Sequence, residues 1–321
     1  MNSHEGSRDG KNSMTKEQRQ EGSARDGLDV RVGAQPINWC NDDFRDLGAS
    51  ISLDQCLAEM REAGYEGTEL GHRFPEDPAA IVALLAQHGL RLASGWHSTF
   101  LASRPYAEEE RAFDAHAARL RAAGASVVIV AECTGAIHAD GSRPLRFAPG
   151  ADLLDEAAWA QVHAGLDRLA DRAAETGMRV AYHPHMGTVV QDRADVDRLM
   201  DRTRRLGLLL DAGHLAFAGA DPLAVLRDHA PRVAHVHLKN VRPDVVEAAR
   251  AGGWSFEAAV RAGVFTVPGD GGIDFRPLLD RLAEERYAGW LIVEAEQDPA
   301  KANPLEYARL ARRHLREVAG V

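Results

Sequence analysis

The chain has 321 residues, of which 45% are hydrophobic, enough to bury one large core or two medium ones. Its formal net charge is −10 and no run of Lys or Arg lies beside aromatic residues, so a nucleic-acid partner is not expected. The three cysteines form no CxxC pair, which argues against a disulfide framework and a thiolate zinc site. With no apolar run near the roughly 18 residues of a membrane span and no signal-peptide segment, we expect a cytoplasmic protein without membrane contact.

Residues 1 to 28 contain almost no apolar side chain and mix charged residues with Ser, Gly and Asn. Such a segment buries too little apolar surface to offset the entropy of ordering. We therefore predict a disordered tail over residues 1 to 28, followed by one folded domain over residues 29 to 321.

Beyond the tail, apolar runs of strand length alternate with segments of helical periodicity. The predicted strands cover residues 30 to 38, 65 to 71, 90 to 96, 126 to 132, 178 to 184, 206 to 211, 232 to 239 and 289 to 296. The predicted helices cover residues 52 to 64, 75 to 89, 107 to 124, 155 to 176, 192 to 203, 221 to 229, 274 to 285 and 304 to 318. Ser52 is placed to cap the first helix.

Four helix-to-strand turns share one feature, a glycine just past the helix end, at Gly64, Gly89, Gly124 and Gly177. That position favours the left-handed conformation, which glycine adopts without a Cβ penalty. Eight β/α units with such short turns predict an α/β fold, a closed (β/α)₈ TIM barrel, in preference to an open doubly wound sheet of eight strands. The longer segments 97 to 106, 133 to 154 and 239 to 273 all follow strands, so they are expected over the C-terminal mouth of the barrel.

The stretch LGLLLDAGHLAFAGADP, residues 206 to 222, starts as a buried strand and breaks at Asp211, Gly213 and His214. A buried strand tolerates a carboxylate only where it meets water or a cation. Taken alone, Asp211 could simply cap the loop that follows, and His214 could be a surface histidine. Three further apolar runs that end in polar side chains, at 179 to 187, 232 to 240 and 290 to 298, favour a functional site.

In a barrel, the polar residues at the strand ends converge on one mouth. The candidates are Glu69, Glu132, His183, His185, Asp211, His214, His235, His237, Glu294 and Glu296. Carboxylates this close repel one another, and a divalent cation relieves the repulsion. A mixed imidazole and carboxylate set without thiolate suits Mn²⁺, Co²⁺, Fe²⁺ or Mg²⁺ better than structural Zn²⁺. Each residue by itself could equally be a satisfied core histidine or a solvated glutamate, but four neighbouring strands that end alike favour a metal site.

Two further features bear on the chemistry. Lys239 extends the seventh strand, where it could act as an acid or an electrostatic stabiliser, or be a surface lysine. The loop over residues 265 to 275 is rich enough in glycine to hold an anion, but it carries Asp270 where a phosphate would need a donor. This acidic loop favours an uncharged polyol as the small-molecule partner.

The fragments INWCNDDF, YEGTELG, LASGWHS, AECTG, YHPHMGTVVQ, LLLDAGHLAFAGADP, GVFTVPGDG and EAEQDPAKANP occur in this order along the chain. Together they resemble the myo-inosose-2 dehydratase family of inositol catabolism, and the resemblance covers almost everything after the tail. That family belongs to the xylose-isomerase-like barrels. The resemblance therefore implies one metal ion, Mn²⁺ or Co²⁺ before Mg²⁺, Fe²⁺ or Zn²⁺, held by the ends of strands five to eight.

The usual Glu/Asp/His/Glu ligand arrangement of those barrels maps onto Asp211, His237 and Glu294, with His183 in place of the first Glu. The resemblance thus leaves the fifth-strand ligand open between His183, His185 and a contribution from Glu132. Two smaller departures lie beside the site and could shift substrate preference. Ala212 stands where the family's DTGH motif has Thr, and Asn240 stands where HLKD-type barrels have Asp.

The resemblance implies dehydration of a keto-inositol to a cyclohexane dione. Under that hypothesis, proton transfer and hydroxyl contacts fall to His185, His214, Lys239 and Glu132. Substrate contacts are expected from Glu69, Trp96, His235 and Glu296. The alternatives are a sugar isomerase or epimerase with the same metal, a DNA-repair endonuclease, against which the net charge counts, and a non-catalytic sugar-binding barrel. A homo-oligomer stays open.

Overall fold

The computed structural model describes residues 28–147 and 154–321. Apart from Leu28, the predicted tail lies outside this part of the chain. The described residues contain ten strands, which in chain order are β1 (Asp29–Ala34), β2 (Gly67–Leu70), β3 (Arg91–Thr99), β4 (Val127–Glu132), β5 (Arg179–Tyr182), β6 (Gly207–Asp211), β7 (Val233–Leu238), β8 (Asn240–Val241), β9 (Phe265–Thr266) and β10 (Ala288–Val293).

Eight of these strands close into a barrel in the order β1-β10-β7-β6-β5-β4-β3-β2. Every neighbouring pair is parallel. The closure lies between β1 and β10, where Asp29 is opposite Ala288 and Ala34 is opposite Val293. The predicted barrel is therefore confirmed and the open-sheet alternative is wrong. The remaining strands, β8 and β9, form a small antiparallel pair outside the barrel.

Helices follow the barrel strands along the chain. They are α1 (Leu53–Ala63), α2 (Pro78–Gln87), α3 (Tyr106–Ala122), α4 (Glu156–Glu175), α5 (Arg193–Arg202), α6 (Ala212–Ala218), α7 (Pro222–His229), α8 (Pro243–Gly252), α9 (Phe256–Arg261), α10 (Arg276–Glu284) and α11 (Pro304–Ala319). The Ser52 hydroxyl accepts a hydrogen bond from Gln55 N at 3.1 Å, so the predicted cap is present. The four predicted turn glycines all have positive φ, between 65° and 92°.

The structure differs from the sequence expectations at several places after strands. The strand predicted over residues 30 to 38 ends at Ala34, and a short 3₁₀ helix, Pro36–Asn38, follows. Pro36 has no backbone N–H to donate to a strand neighbour, which accounts for the break. The loop expected after Asp211 is helix α6. Likewise, the long segment 239 to 273 contains α8, α9, β8 and β9.

A small apolar cluster packs among the barrel strands. Its five buried residues are Val127, Ile129, Ala181, Leu209 and Ala234, and Trp96 packs against them. At the lower end, a Cβ on Gly67 would lie 2.4 Å from the Trp290 ring, so only glycine fits there. Trp96 also lines the cavity at the strand ends, so this apolar cluster adjoins the polar residues there.

In the part of the chain that the structure describes, no helix is long and apolar enough to cross a membrane.

Candidate active site

A cavity of about 400 Å³ opens above Trp96 at the C-terminal ends of the strands, where (β/α)₈ enzymes build their sites. Seven of the residues singled out from the sequence line it, Glu69, Trp96, His183, His185, His237, Glu294 and Glu296. The long segment after β1 and the turn after β2 supply Asp42, Asp43, Arg45 and His72. A cavity of this size and mixed lining suits one small polar molecule.

Four side chains at the ends of β5, β6, β7 and β10 face one another beside the cavity. His183 Nε2 lies 3.2 Å from Asp211 Oδ2, and that oxygen lies 3.5 Å from His237 Nδ1. The same His237 nitrogen lies 2.7 Å from Glu294 Oε2. Ligands about 2.0–2.2 Å from one ion are separated by roughly 3 Å. His183, Asp211 and His237 offer atoms that all lie within 4.8 Å of one another, and Glu294 lies beside His237.

The two carboxylate oxygens of Asp211 have different partners. Its Oδ1 accepts a hydrogen bond from His214 N at 2.9 Å, which caps helix α6. Its Oδ2 faces His183 and His237. The capping role and the predicted ligand role of Asp211 are therefore compatible, because the cap holds the carboxylate in one orientation.

Glu69 holds two histidines from below. Its Oε1 lies 2.7 Å from His235 Nε2 and 3.2 Å from His237 Nε2, and the Ser94 hydroxyl donates to the same oxygen. A carboxylate that accepts from one imidazole nitrogen leaves the other nitrogen free to bind a metal. Glu69 thus fixes the His237 ring with Nδ1 towards Asp211 and Glu294. His235, predicted to contact substrate, is fully buried and does not line the cavity.

The charges of the buried group favour ionised carboxylates and a neutral fifth-strand imidazole. Burial alone would raise the pKa of Asp211, but Lys239 and His214 outweigh it and hold the pKa well below its usual range. Burial would also raise the pKa of Glu294, and the neighbouring His237 and Lys239 lower it. For His183, burial lowers the pKa to about 4. For His237, burial would lower the pKa, but Glu294 and Glu69 outweigh it and raise the pKa well above its usual range, so this imidazole must release its proton when a metal binds.

The residues present fit a divalent cation. His237 Nδ1 is buried and makes no hydrogen bond among the described residues, although Glu294 Oε2 lies 2.7 Å away. His183 Nδ1 is likewise buried without a hydrogen-bond partner there. Buried polar atoms without partners are costly, and a cation shared by His183, Asp211, His237 and Glu294 would satisfy the one on His237. Of the two histidines that follow β5, His183 is the one in this group.

Lys239 lies behind the cavity wall. Its side chain is fully buried and does not line the cavity. Nζ lies 2.6 Å from Glu294 Oε1, 2.6 Å from Glu296 Oε2 and 3.5 Å from Asp211 Oδ2. Burial alone would lower the pKa of Lys239, but these carboxylates, Asp211 first, outweigh it and raise the pKa. Any action of this ammonium on a substrate would therefore pass through the carboxylates.

The rings of His185 and His214 are in close contact, with centroids 3.9 Å apart and planes tilted by 41°. Only His185 lines the cavity, where its Nε2 lies 3.7 Å from Glu296 Oε1. His214 is fully buried beneath it, with Nδ1 accepting from Met186 N at 3.3 Å and Nε2 2.9 Å from Lys239 Nζ. Of these two predicted catalytic histidines, the structure brings only His185 to the cavity.

Glu132, a predicted catalytic residue, has its carboxylate occupied by hydrogen bonds away from the cavity lining. Its carboxylate accepts hydrogen bonds from Thr99 Oγ1 at 2.8 Å, from Leu101 N at 2.9 Å and from Ala102 N at 3.3 Å. A fourth bond comes from the Thr134 hydroxyl. Glu132 is not among the lining residues, and it orders the chain that follows β3.

We expect Glu132→Gln to lower the free energy of unfolding by about 1 to 3 kcal/mol. The charge-assisted hydrogen bonds are lost, and the amide NH₂ faces groups that are themselves hydrogen-bond donors. Metal content should stay at the parent value. Urea unfolding and elemental analysis measure the two effects. Glu284→Gln, at an exposed ion pair with Arg281, is the control and should change neither. Loss of metal from a folded Glu132→Gln protein would place Glu132 in the metal site instead.

The sequence reasoning missed the contribution of the segments after β1 and β2. Asp43 lines the cavity with an exposed side chain, and partial desolvation there raises its pKa. His72 Nδ1 lies 2.5 Å from Asp42 Oδ1 at the rim. A signal was present in the sequence, since the polar run NDD follows an apolar strand in the same way as the residues that were recognised.

The loop over residues 265 to 275 does not line the cavity. Asp270 instead accepts from Arg242 Nη2 at 2.7 Å and from Thr266 Oγ1 at 2.6 Å. Asn240 holds the same loop, with Oδ1 accepting from Ile273 N at 2.8 Å. The acidic loop is therefore not a substrate contact, and the Asn240 departure has a structural role beside the site.

The fold and the site define the class of the protein. The sequence profile of the xylose isomerase-like TIM barrels matches residues 57–318, and the chain belongs to that family. Within the class it belongs to the inosose dehydratase family. It is 46% identical to the inosose dehydratase of Geobacillus thermodenitrificans over 294 residues, which are 91% of this chain and 98% of that protein.

The chain is also similar to a second kind of catabolic protein and to a solved barrel structure. It is 46% identical over 293 residues to the rhizopine catabolism protein MocC of Rhizobium meliloti, covering 91% of this chain and 89% of that protein. A solved structure of IolI protein with a bound zinc atom superposes with a TM-score of 0.65 at 15% identity, covering 90% of this chain and 98% of that one. The second likeness concerns the fold alone.

Proposed function

We propose that this protein removes water from 2-keto-myo-inositol to give a trihydroxycyclohexane dione, with one divalent metal ion held by His183, Asp211, His237 and Glu294. The observation that carries the proposal is the convergence of these four side chains beside a cavity of about 400 Å³. Relatives named inosose dehydratase at 42–46% identity support the substrate and the reaction.

Mn²⁺ and Co²⁺ fit the proposed site best. Two imidazoles and two carboxylates are borderline donors that first-row divalent ions accept, and no thiolate lies in the group. Mg²⁺, Fe²⁺ and Zn²⁺ are the next candidates. Ca²⁺ fits poorly because it takes six to eight oxygen ligands.

When bound, the cation would polarise the substrate ketone and so acidify the neighbouring C–H. His185 is the base that we assign to that proton. Its Nδ1 donates to the Met186 carbonyl at 2.9 Å, so Nε2 carries the lone pair and faces the cavity. Glu296, 3.7 Å from Nε2, stabilises the imidazolium once the proton has arrived.

Asp43 is the acid that we assign to the departing β-hydroxyl. It lines the cavity, where desolvation raises its pKa, the His185 imidazole opposes the rise, and Glu296 adds to it. The α-proton passes first to His185 Nε2. The C–O bond to the β-hydroxyl then breaks, and the Asp43 proton completes the water that leaves. Trp96 supplies the apolar floor on which the substrate ring rests.

The test of the proposed function is a panel of inososes and ketoses incubated with Mn²⁺-loaded protein. Dione formation from 2-keto-myo-inositol, followed by absorbance and mass, is the expected result. Interconversion of ketoses with the inosose left unchanged would overturn the dehydratase in favour of the isomerase or epimerase alternative. Removing the first proton is common to both reactions, so the loss of water decides between them.

We expect Asp43→Asn to slow dione formation by about 10²- to 10⁴-fold, the usual loss when a proton donor is removed. Exchange of the substrate α-hydrogen in deuterated water should continue, because His185 is intact. Asp46→Asn, at an exposed ion pair with Arg261, is the matched control. If Asp43→Asn forms dione at the parent rate, the acid lies elsewhere.

A further inference from the structure

We infer that Lys239 is a built-in cation that occupies the position of a second metal ion, so that the site takes one divalent ion and not two. The inference rests on the proposed metal site. Among the described residues, four groups of three side chains could each hold a metal ion, and three of them share residues around His214 and Asp211. The question is which of these positions a metal can use.

The ammonium fills one of the four positions and blocks another. The group of Asp211, His214 and Glu294 surrounds Nζ, at 3.5, 2.9 and 2.6 Å respectively. In the group of His185, His214 and Glu296, the same ammonium lies 2.9 Å from His214 Nε2 and 2.6 Å from Glu296 Oε2, so an ion there would lie against it. A second divalent ion at either position would have to displace a buried positive charge or lie against it, which like charges disfavour.

The fold is built to admit the lysine stem. A Cβ on Gly213 would lie 2.5 Å from Lys239 Cγ, so glycine at that position opens the path. The Phe265 ring centroid lies 4.8 Å from Nζ and offers its face to the charge. Lys239 is therefore held in one place by contacts along its whole length, as expected for a permanent part of the site.

The first metal position stays open to an ion. Of the group His183, Asp211 and His237, the ammonium lies near only Asp211, at 3.5 Å. Glu294 serves both cations, with Oε1 towards Lys239 and Oε2 towards His237. One ammonium and one divalent ion can therefore lie side by side, each next to oxygens of Asp211 and Glu294.

The test is the number of Mn²⁺ ions bound per chain, measured by elemental analysis after equilibrium dialysis, together with the EPR spectrum. The parent protein should bind one ion with an uncoupled spectrum. Lys239→Ala removes the charge and the volume, and should bind two ions with a spin-coupled spectrum. Lys239→Met removes the charge but still fills the space. This variant should bind no second ion at the position that Nζ occupies in the parent protein.

Each outcome decides a different point. Two ions in the parent protein, or one ion in folded Lys239→Ala, overturns the inference and leaves the proposed metal site standing. No ion in the parent protein overturns the proposed metal site itself. Since the second ion should replace the lost charge, a Lys239→Ala protein that stays unfolded even with Mn²⁺ also counts against the inference.

Discussion

Asp211→Asn and Glu294→Gln are each expected to weaken Mn²⁺ binding by more than the roughly 10- to 100-fold that loss of an outer-shell partner costs, and to abolish dione formation at limiting metal. Asp211 Oδ2 lies between His183 and His237, and Glu294 Oε2 lies 2.7 Å from His237 Nδ1. An amide keeps the shape of either side chain but removes the negative charge that the ion requires. Isothermal titration with Mn²⁺ and the dione assay measure the two effects.

The control for these variants is Asp114→Asn, which removes a carboxylate that pairs with Arg172 between α3 and α4, away from the cavity. It should leave Mn²⁺ affinity and turnover at the parent values. Circular dichroism should show a folded barrel for all three proteins. Parent-like metal binding and turnover in either Asp211→Asn or Glu294→Gln would show that this residue is not a ligand.

His185→Ala is expected to slow both α-hydrogen exchange and dione formation by about 10²- to 10⁴-fold, since the base acts in the first step. Metal content should not change, because His185 is not one of the four proposed ligands, His183, Asp211, His237 and Glu294. This pattern differs from that of Asp43→Asn, where exchange continues. Proton NMR in deuterated water and the dione assay separate the two steps.

The control is His163→Ala, which removes a histidine that stacks on Trp159 in α4 and does not line the cavity. It should retain exchange and turnover. If His185→Ala still exchanges the α-hydrogen at the parent rate, the base is another residue. The assignment of Nε2 as the acceptor would then fail along with it.

The barrel and the position of its site were predictable because both depend on local patterns. Apolar runs alternate with amphipathic segments, and the glycines at Gly64, Gly89, Gly124 and Gly177 mark the turns between them. Parallel strand ends share one face of a barrel, so polar residues at those ends had to lie near one another. Six of the lining residues follow from that rule, Glu69, His183, His185, His237, Glu294 and Glu296.

The depth of each side chain was not predictable. Strand alternation places His235 and His237 on the same face, and both do contact Glu69, yet it cannot say that His235 lies below the cavity. For His183 and His185 the alternation does not apply, because β5 ends at Tyr182. Their distinct roles arise from the irregular chain that follows the strand.

Contacts between distant segments were also beyond the sequence. The sequence shows Lys239 only as the last residue of a predicted strand. Its burial among carboxylates depends on helix α6, which Asp211 caps. Asp43 reaches the cavity through a segment without regular periodicity, which propensity and spacing describe poorly. Glu132 ends a strand like the site residues. Its carboxylate, however, accepts hydrogen bonds from backbone N–H groups of the chain after β3.

Metal-dependent dehydration is tested most directly by the time course of dione absorbance. Metal-stripped protein receives 2-keto-myo-inositol and then Mn²⁺ in steps up to one equivalent. The four converging ligands predict no dione from the stripped protein and a rate that rises with added Mn²⁺ and levels off at one ion per chain. Ca²⁺ in place of Mn²⁺ should restore little activity. Full dione formation by protein that elemental analysis shows to be free of metal would contradict the account.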